Sequence, residues 1–167
     1  KDTKKCSIAE LSRIVGYVFQ NPNHQIFSNT VFDEIAFGPR NLGFKEVNNI
    51  VERVLSLLNL KEKKDTLPFL LSMGEKERVA IASLLSMKPK ILILDEPTTA
   101  QDIYTYSRIV EILRKLKKVG KTVVIISHDM EFVAEVSDRI FVMSRGKVVR
   151  EGKPKEIFSD FELLENL

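Results

Sequence analysis

Two continuous apolar runs, Ile91-Leu92-Ile93-Leu94 and Val123-Val124-Ile125-Ile126, each stop abruptly at polar residues, Asp95-Glu96 after the first and Ser127-His128 after the second. A short apolar run without polar alternation is how a strand buried on both faces of a parallel sheet reads. In open α/β sheets ligands bind at the carboxyl ends of such strands, so the polar residues that follow them become candidates for chemistry. A third run, Ile14 to Phe19, ends at Gln20. A fourth, Arg139 to Met143, passes through Arg145-Gly146-Lys147 into Val148-Val149, which predicts a hairpin or tight strand pair.

Helical spacing fills the intervals. Val47, Ile50, Val51, Val54, Leu57 and Leu58 recur at three and four residues, as do Ile103, Tyr106, Ile109, Val110, Leu113 and Leu116, with Gly120 as a stop. A further helix over Glu75 to Met87 is entered from Ser72-Met73-Gly74 and ended by Lys88-Pro89. Strands alternating with helices predict an α/β fold, a mostly parallel sheet flanked by helices. From about Pro22 to Leu71 no strand is expected. The expected organisation is one domain over 1–167: residues 1–20 and 88–152 as sheet core, 21–87 as a helical subdomain, and 153–167 as a helical tail carrying Ile157, Phe158, Phe161, Leu163 and Leu164.

Composition narrows the class. Basic residues number 26 and acidic residues 23, a net of +3 with the signs intermixed, so no nucleic-acid arm or acidic tail is expected. The clusters Lys61-Glu62-Lys63-Lys64 and Lys115-Leu116-Lys117-Lys118 are interrupted by an acid and a leucine and read as solvated faces. The single cysteine, Cys6, excludes an internal disulfide framework and a zinc ribbon. No apolar run reaches the ~18 residues of a membrane span, and a soluble, cytoplasmic domain is expected.

Four positions carry the chemistry. At the tip of the first run, Asp95 can hold Mg²⁺ directly or through water, and Glu96 can polarise a water for in-line attack on phosphorus; a solvated acid pair at a loop start is the plainer alternative. Leu71-Ser72-Met73-Gly74-Glu75 places a hydroxyl and a glycine before a helix, which suits a phosphate, although Ser72 can equally be an ordinary N-cap. His128 lies just past a strand tip, where it can contact a γ-phosphate or orient a water, or sit inert in a loop. Gln20 repeats that placement with an amide able to ligate Mg²⁺ or the attacking water.

Together these residues resemble the nucleotide-binding domain of an ABC transporter. In chain order stand a Q-loop (Phe19-Gln20-Asn21-Pro22), a signature (Leu71 to Glu75), a Walker B strand with its glutamate (Ile91 to Pro97), a D-loop (Thr98 to Asp102) and an H-loop (Ser127-His128-Asp129). The stretch Phe19 to Phe27, followed by Ala36-Phe37-Gly38-Pro39, is similar to the energy-coupling-factor and cobalt/nickel importer ATPases. The resemblance implies a P-loop NTPase-like fold, ATP and Mg²⁺ as ligands, and a head-to-tail homodimer or paralogous heterodimer. It implies Gln20 and Asp95 at the metal, Glu96 as general base and His128 at the γ-phosphate. Ser72, Met73, Gly74 and Glu75 then serve as the signature acting across the dimer, with Asp102 coupling the two sites. A transmembrane subunit is the implied partner, docked after the Q-loop between Asn21 and Gly43, so membrane contact is indirect and peripheral at the inner face.

Two features depart from the family pattern. Met73 stands where glycine is usual and Glu75 where glutamine is usual, which implies a weaker composite site. Residues 1–167 contain no G-x-x-x-x-G-K-[ST]. Gly38-Pro39-Arg40-Asn41-Leu42-Gly43-Phe44-Lys45 has the glycines, but its lysine is one place late, and it reads as a turn. In the family the P-loop lies farther upstream of the Q-loop than Lys1 lies from Gln20. The resemblance therefore implies the later part of a longer ATPase, inactive alone. The other reading is a nucleotide-dead docking module that supplies only the signature face to a partner ATPase.

Overall fold

A computed structural model describes residues 2–98 and 103–160, which fall in two compact units, Lys1–Ile126 and Ser127–Leu167. The first unit begins with α1 (Ile8–Ser12), capped by Ser7 and Glu10, and β1 (Val15–Val18). Next come α2 (Val31–Asn41), α3 (Val47–Leu57) and α4 (Met73–Ser86), then β2 (Ile91–Asp95), α5 (Ile103–Lys118) and β3 (Thr122–Ile126). The three strands form one parallel sheet in the order β1-β2-β3. Parallel neighbours need crossovers, and the helices supply them, three between β1 and β2 and one between β2 and β3. The α/β class expected from the sequence is the class observed.

One face of this sheet is sealed: Val18, Leu92 and Leu94 are 0–1% exposed. The core continues into α2, α3, α4 and α5 through Ile35, Val51, Leu55, Ile81 and Ile109, all fully buried. Val124 and Ile126 on β3 are 45% and 49% exposed within residues 1–167, so these residues alone do not cover both faces of this run. An unbroken apolar run marks a buried strand but does not count how many faces are covered.

Of the turn expected over Gly38 to Lys45, the part from Leu42 on is a turn, whereas Gly38 to Asn41 are the last turn of α2, and the physical reasons lie in its packing. Proline at position 39 cannot donate to the Ile35 carbonyl one turn back. The hydroxyl of Ser86, fully buried on α4, lies 2.9 Å from that carbonyl and shares its proton between it and Ser83 O. Gly38 permits the close approach this needs, because a Cβ there would meet the Met87 side chain at 2.5 Å. The helix ends one turn later, where Gly43 takes φ +74° and Phe44 N donates to Pro39 O.

The second unit comprises α6 (Met130–Val136), β4 (Ile140–Ser144), β5 (Lys147–Gly152) and α7 (Pro154–Phe158). Strands β4 and β5 form the antiparallel hairpin suggested by Gly146. Arg145 and Gly146 both have positive φ, 48° and 75°, the conformation of a tight primed turn whose twist matches a hairpin. Phe132 of α6 and Ile157 of α7 are its buried anchors. The tail residues Phe161, Leu163 and Leu164 lie outside the described residues. No helix among the described residues is long and apolar enough to cross a membrane.

Candidate functional site

The parallel register sets the site. Val18 pairs with Leu94 and Asp95 with Ile126, so the chain leaves β1, β2 and β3 at one edge of the sheet. Asp95 is the last residue of β2, and its Oδ2 accepts a 2.6 Å hydrogen bond from the Tyr17 hydroxyl on β1. That bond raises the Tyr17 phenol above its ordinary pKa, with desolvation adding to it. Glu96 then breaks the strand direction. Its backbone is left-handed, φ +50°, and its N–H donates to Ile126 O at 2.8 Å. A non-glycine residue held there costs about 1–2 kcal/mol, strain that persists where its surroundings impose it and that clusters at functional sites. The two adjacent acids therefore leave the strand on different backbone geometries.

Gln20 lies two residues past the end of β1, exposed, and its side chain makes no hydrogen bond among the described residues. Beyond it the chain is tied to α4. Gln25 Nε2 donates to Ala80 O and Ser83 Oγ, each at 3.3 Å, and Lys76 Nζ donates to Asn23 Oδ1 at 3.0 Å. Glu34, 3% exposed, then accepts from the backbone N–H groups of Phe27 and Ser28 at 3.0 and 2.8 Å.

Ser72 caps α4. Its Oγ accepts from Glu75 N at 3.3 Å while Glu75 Oε2 accepts from Ser72 N at 2.9 Å, the reciprocal capping box. The Ser72 N–H, together with Lys63 Nζ at 3.4 Å, holds the Glu75 carboxyl below its usual range, so it is ionised. Met73 and Gly74 are the first helical residues, and neither has positive φ. Methionine at position 73 thus carries no backbone strain. Ser72 and Glu75 bond to each other, Glu75 also pairs with Lys63, and among the described residues neither bonds to the strand-end acids.

His128 is the second residue of the second unit, exposed, between Ser127 and Asp129; Asp129 Oδ1 caps α6 by accepting from Phe132 N at 3.0 Å. Asp102 lies outside the described residues. Sequence reading missed Tyr17, whose bond to Asp95 joins residues far apart in the chain. The one available signal was a hydroxyl-bearing residue inside an otherwise apolar run. It also missed Glu34, which reads as one more acid in a helical first turn.

The Asp95 carboxylate and the Gln20 amide supply hard oxygen donors at adjacent strand ends. No group of three or more His, Cys, Asp or Glu suited to a metal occurs among the described residues. Mg²⁺ does not require one, since it takes one or two protein carboxylates and completes its shell with water and phosphate. The residues present fit it.

The chain is similar to known proteins along most of its length. Residues 1–99 match the family model described as ABC transporter. A protein of Pyrococcus furiosus, provisionally named as an ABC transporter ATP-binding protein, is 50% identical over 97% of this chain, which spans 62% of its length. The energy-coupling factor transporter ATP-binding protein EcfA of Methanothermobacter thermautotrophicus is 45% identical over 98% of the chain, which spans 53% of it. The structure of cbiO1 from Clostridium perfringens, described as part of the ABC transporter complex cbiONQ, superposes with a TM-score of 0.82 at 38% identity, covering 94% of this chain and 64% of that one. With a family model matching more than half of its length and these identities over nearly all of it, the chain belongs to the ABC transporter family of ATP-binding proteins.

Proposed function

We propose that this chain is the signature-bearing and Walker B-bearing part of an ATP-binding subunit, of the energy-coupling-factor kind, that hydrolyses MgATP as a dimer and drives a membrane importer. The observation that carries the reading is the end of β2, where Asp95 stays in the strand bonded to Tyr17 while Glu96 turns away in a left-handed conformation. Two acids on divergent geometries suit two tasks. Asp95, with Gln20, would hold Mg²⁺, which when bound would neutralise charge on the phosphate oxygens. The Glu96 carboxylate would take the proton of the water whose oxygen attacks the γ-phosphorus as the bond to ADP breaks. In this reading His128 contacts the γ-phosphate, and Ser72, Met73, Gly74 and Glu75 meet the nucleotide of the partner subunit. Asp102 couples the two sites.

The domain reading that accompanies it is a sheet core over 1–20 and 88–152, a helical subdomain over 21–87 and a tail over 153–167. Residues 1–167 contain no G-x-x-x-x-G-K-[ST], so by themselves they are expected to release no phosphate from MgATP. In the full-length protein, Glu96→Gln is expected to lower phosphate release more than about 100-fold while ATP still binds. Turnover by Glu96→Gln at the parent rate would overturn the assignment of the base, and hydrolysis by residues 1–167 alone would overturn the claim of inactivity.

A further inference from the structure

We propose that Tyr17 is a positioning residue for Asp95, committing one carboxylate oxygen to its phenol so that the other is held for a divalent cation. The inference rests on the reading of Asp95 given above. It starts from the register. Tyr17 pairs with Ile93, and Asp95 is two residues further along the same face of β2. Such a diagonal pair across neighbouring strands is too far apart for short side chains but within reach of an aromatic one. The tyrosine spans it, and its hydroxyl meets Oδ2 at 2.6 Å, the short length of a hydrogen bond to a charged acceptor. Among the described residues Asp95 accepts no other side-chain hydrogen bond, so Oδ1 is uncommitted.

The ring is itself held. Phe19, just past the end of β1, packs edge-on against it with centroids 5.0 Å apart at 64°. A carboxylate at a strand tip has several rotamers in reach, and a cation site needs one of them. Hydrogen bonds to ligating groups fix that orientation, and their loss typically weakens metal binding about 10–100-fold. Tyr17 is the side chain placed to supply such a bond here.

The test uses the full-length protein with a non-hydrolysable ATP analogue and Mn²⁺ as the probe, its binding read by electron paramagnetic resonance. Tyr17→Phe removes only the hydroxyl of a side chain that is 36% exposed, so thermal melting should change little. Mn²⁺ affinity is expected to fall about 10-fold. The Mg²⁺ concentration for half-maximal turnover should rise by a similar factor, while kcat at saturating Mg²⁺ stays within about 2-fold. In an Asp95→Asn background the same substitution should have no effect on Mn²⁺. Unchanged Mn²⁺ affinity in Tyr17→Phe, or an equal loss in the Asp95→Asn background, overturns the inference. If Asp95→Asn weakens Mn²⁺ and Tyr17→Phe does not, Tyr17 alone loses its role. If Asp95→Asn leaves Mn²⁺ binding intact, the cation reading of Asp95 falls and takes this inference with it.

Discussion

Glu77 on α4 is 3% exposed, and its Oε1 has no hydrogen-bond partner among the described residues. Its neighbour Arg78, also buried, leaves Nε unpartnered too, and adjacent helical residues do not face each other. Burial pushes the Glu77 carboxyl up to about 8 from an ordinary 4.5. Between those two values the native state holds a proton that the unfolded chain has lost, so stability falls as pH rises through the window and is flat on either side. Glu77→Gln keeps the shape and removes the titration. It is expected to match the parent near pH 4.5 and to exceed it by about 5 kcal/mol above pH 8. Urea unfolding at several pH values checks this, and parallel stability profiles for the two proteins would count against it. At this scale the sequence was a partial guide. The places of Asp95, Glu96, Gln20 and His128 at or just past strand ends were legible because each follows an apolar run that can be recognised without knowing its neighbours. The Tyr17 bond and the left-handed backbone of Glu96 were not, because both are set by strands distant in the chain.

Elements were legible where one periodicity ruled. α3 and α5 follow their apolar spacing, and β2 and β3 follow their unbroken runs. The reading failed at Gly38-Pro39, where two helix-breaking residues sit inside α2. Local propensity there is overridden by a tertiary contact that no local pattern announces, the Ser86 hydroxyl at Ile35 O. Ser86→Ala would leave that carbonyl buried without a donor, at a cost of about 1–3 kcal/mol. Pro39→Ala restores an N–H one turn along, so the double variant should recover much of the loss. A double-mutant cycle by chemical denaturation measures the coupling, and additive losses would mean that the hydroxyl does not stand in for the missing amide. The start of α4 has the same lesson on a smaller scale. The sequence reading began the helix at Glu75, but the capping box makes Ser72 the cap and brings Met73 and Gly74 into the first turn. Ser72→Ala should therefore destabilise α4 by about 1 kcal/mol, seen as a lower urea midpoint with an unchanged slope.

At the scale of the whole molecule, the function proposed above asks for a surface that meets a membrane subunit. Of the apolar residues between Asn21 and Gly43, Ile26, Val31 and Ile35 are buried and belong to the core, whereas Phe27 and Phe37 are 58% and 48% exposed. Those two rings pack edge to face, centroids 4.8 Å apart, beside a groove of about 280 Å³ that Leu42, Leu84 and Met87 also line. The Glu34 carboxylate, bonded to the N–H groups of Phe27 and Ser28, fixes the loop that presents Phe27. A half-exposed aromatic pair, Phe27 on a fixed loop and Phe37 on α2, gains little for the fold, since such a pair contributes about 0.5–1.5 kcal/mol; in the function proposed above it would be the anchor for an apolar segment of a transmembrane subunit. Phe27→Asp separates the two roles. In the full-length protein it is expected to lower the melting temperature by only a few degrees and to leave soluble ATPase turnover unchanged. Co-purification with the membrane subunit should drop at least about 10-fold, as expected when a charge replaces a buried aromatic anchor. Intact co-purification would move the docking surface elsewhere, and a collapse of the melting temperature would make Phe27 part of the core after all.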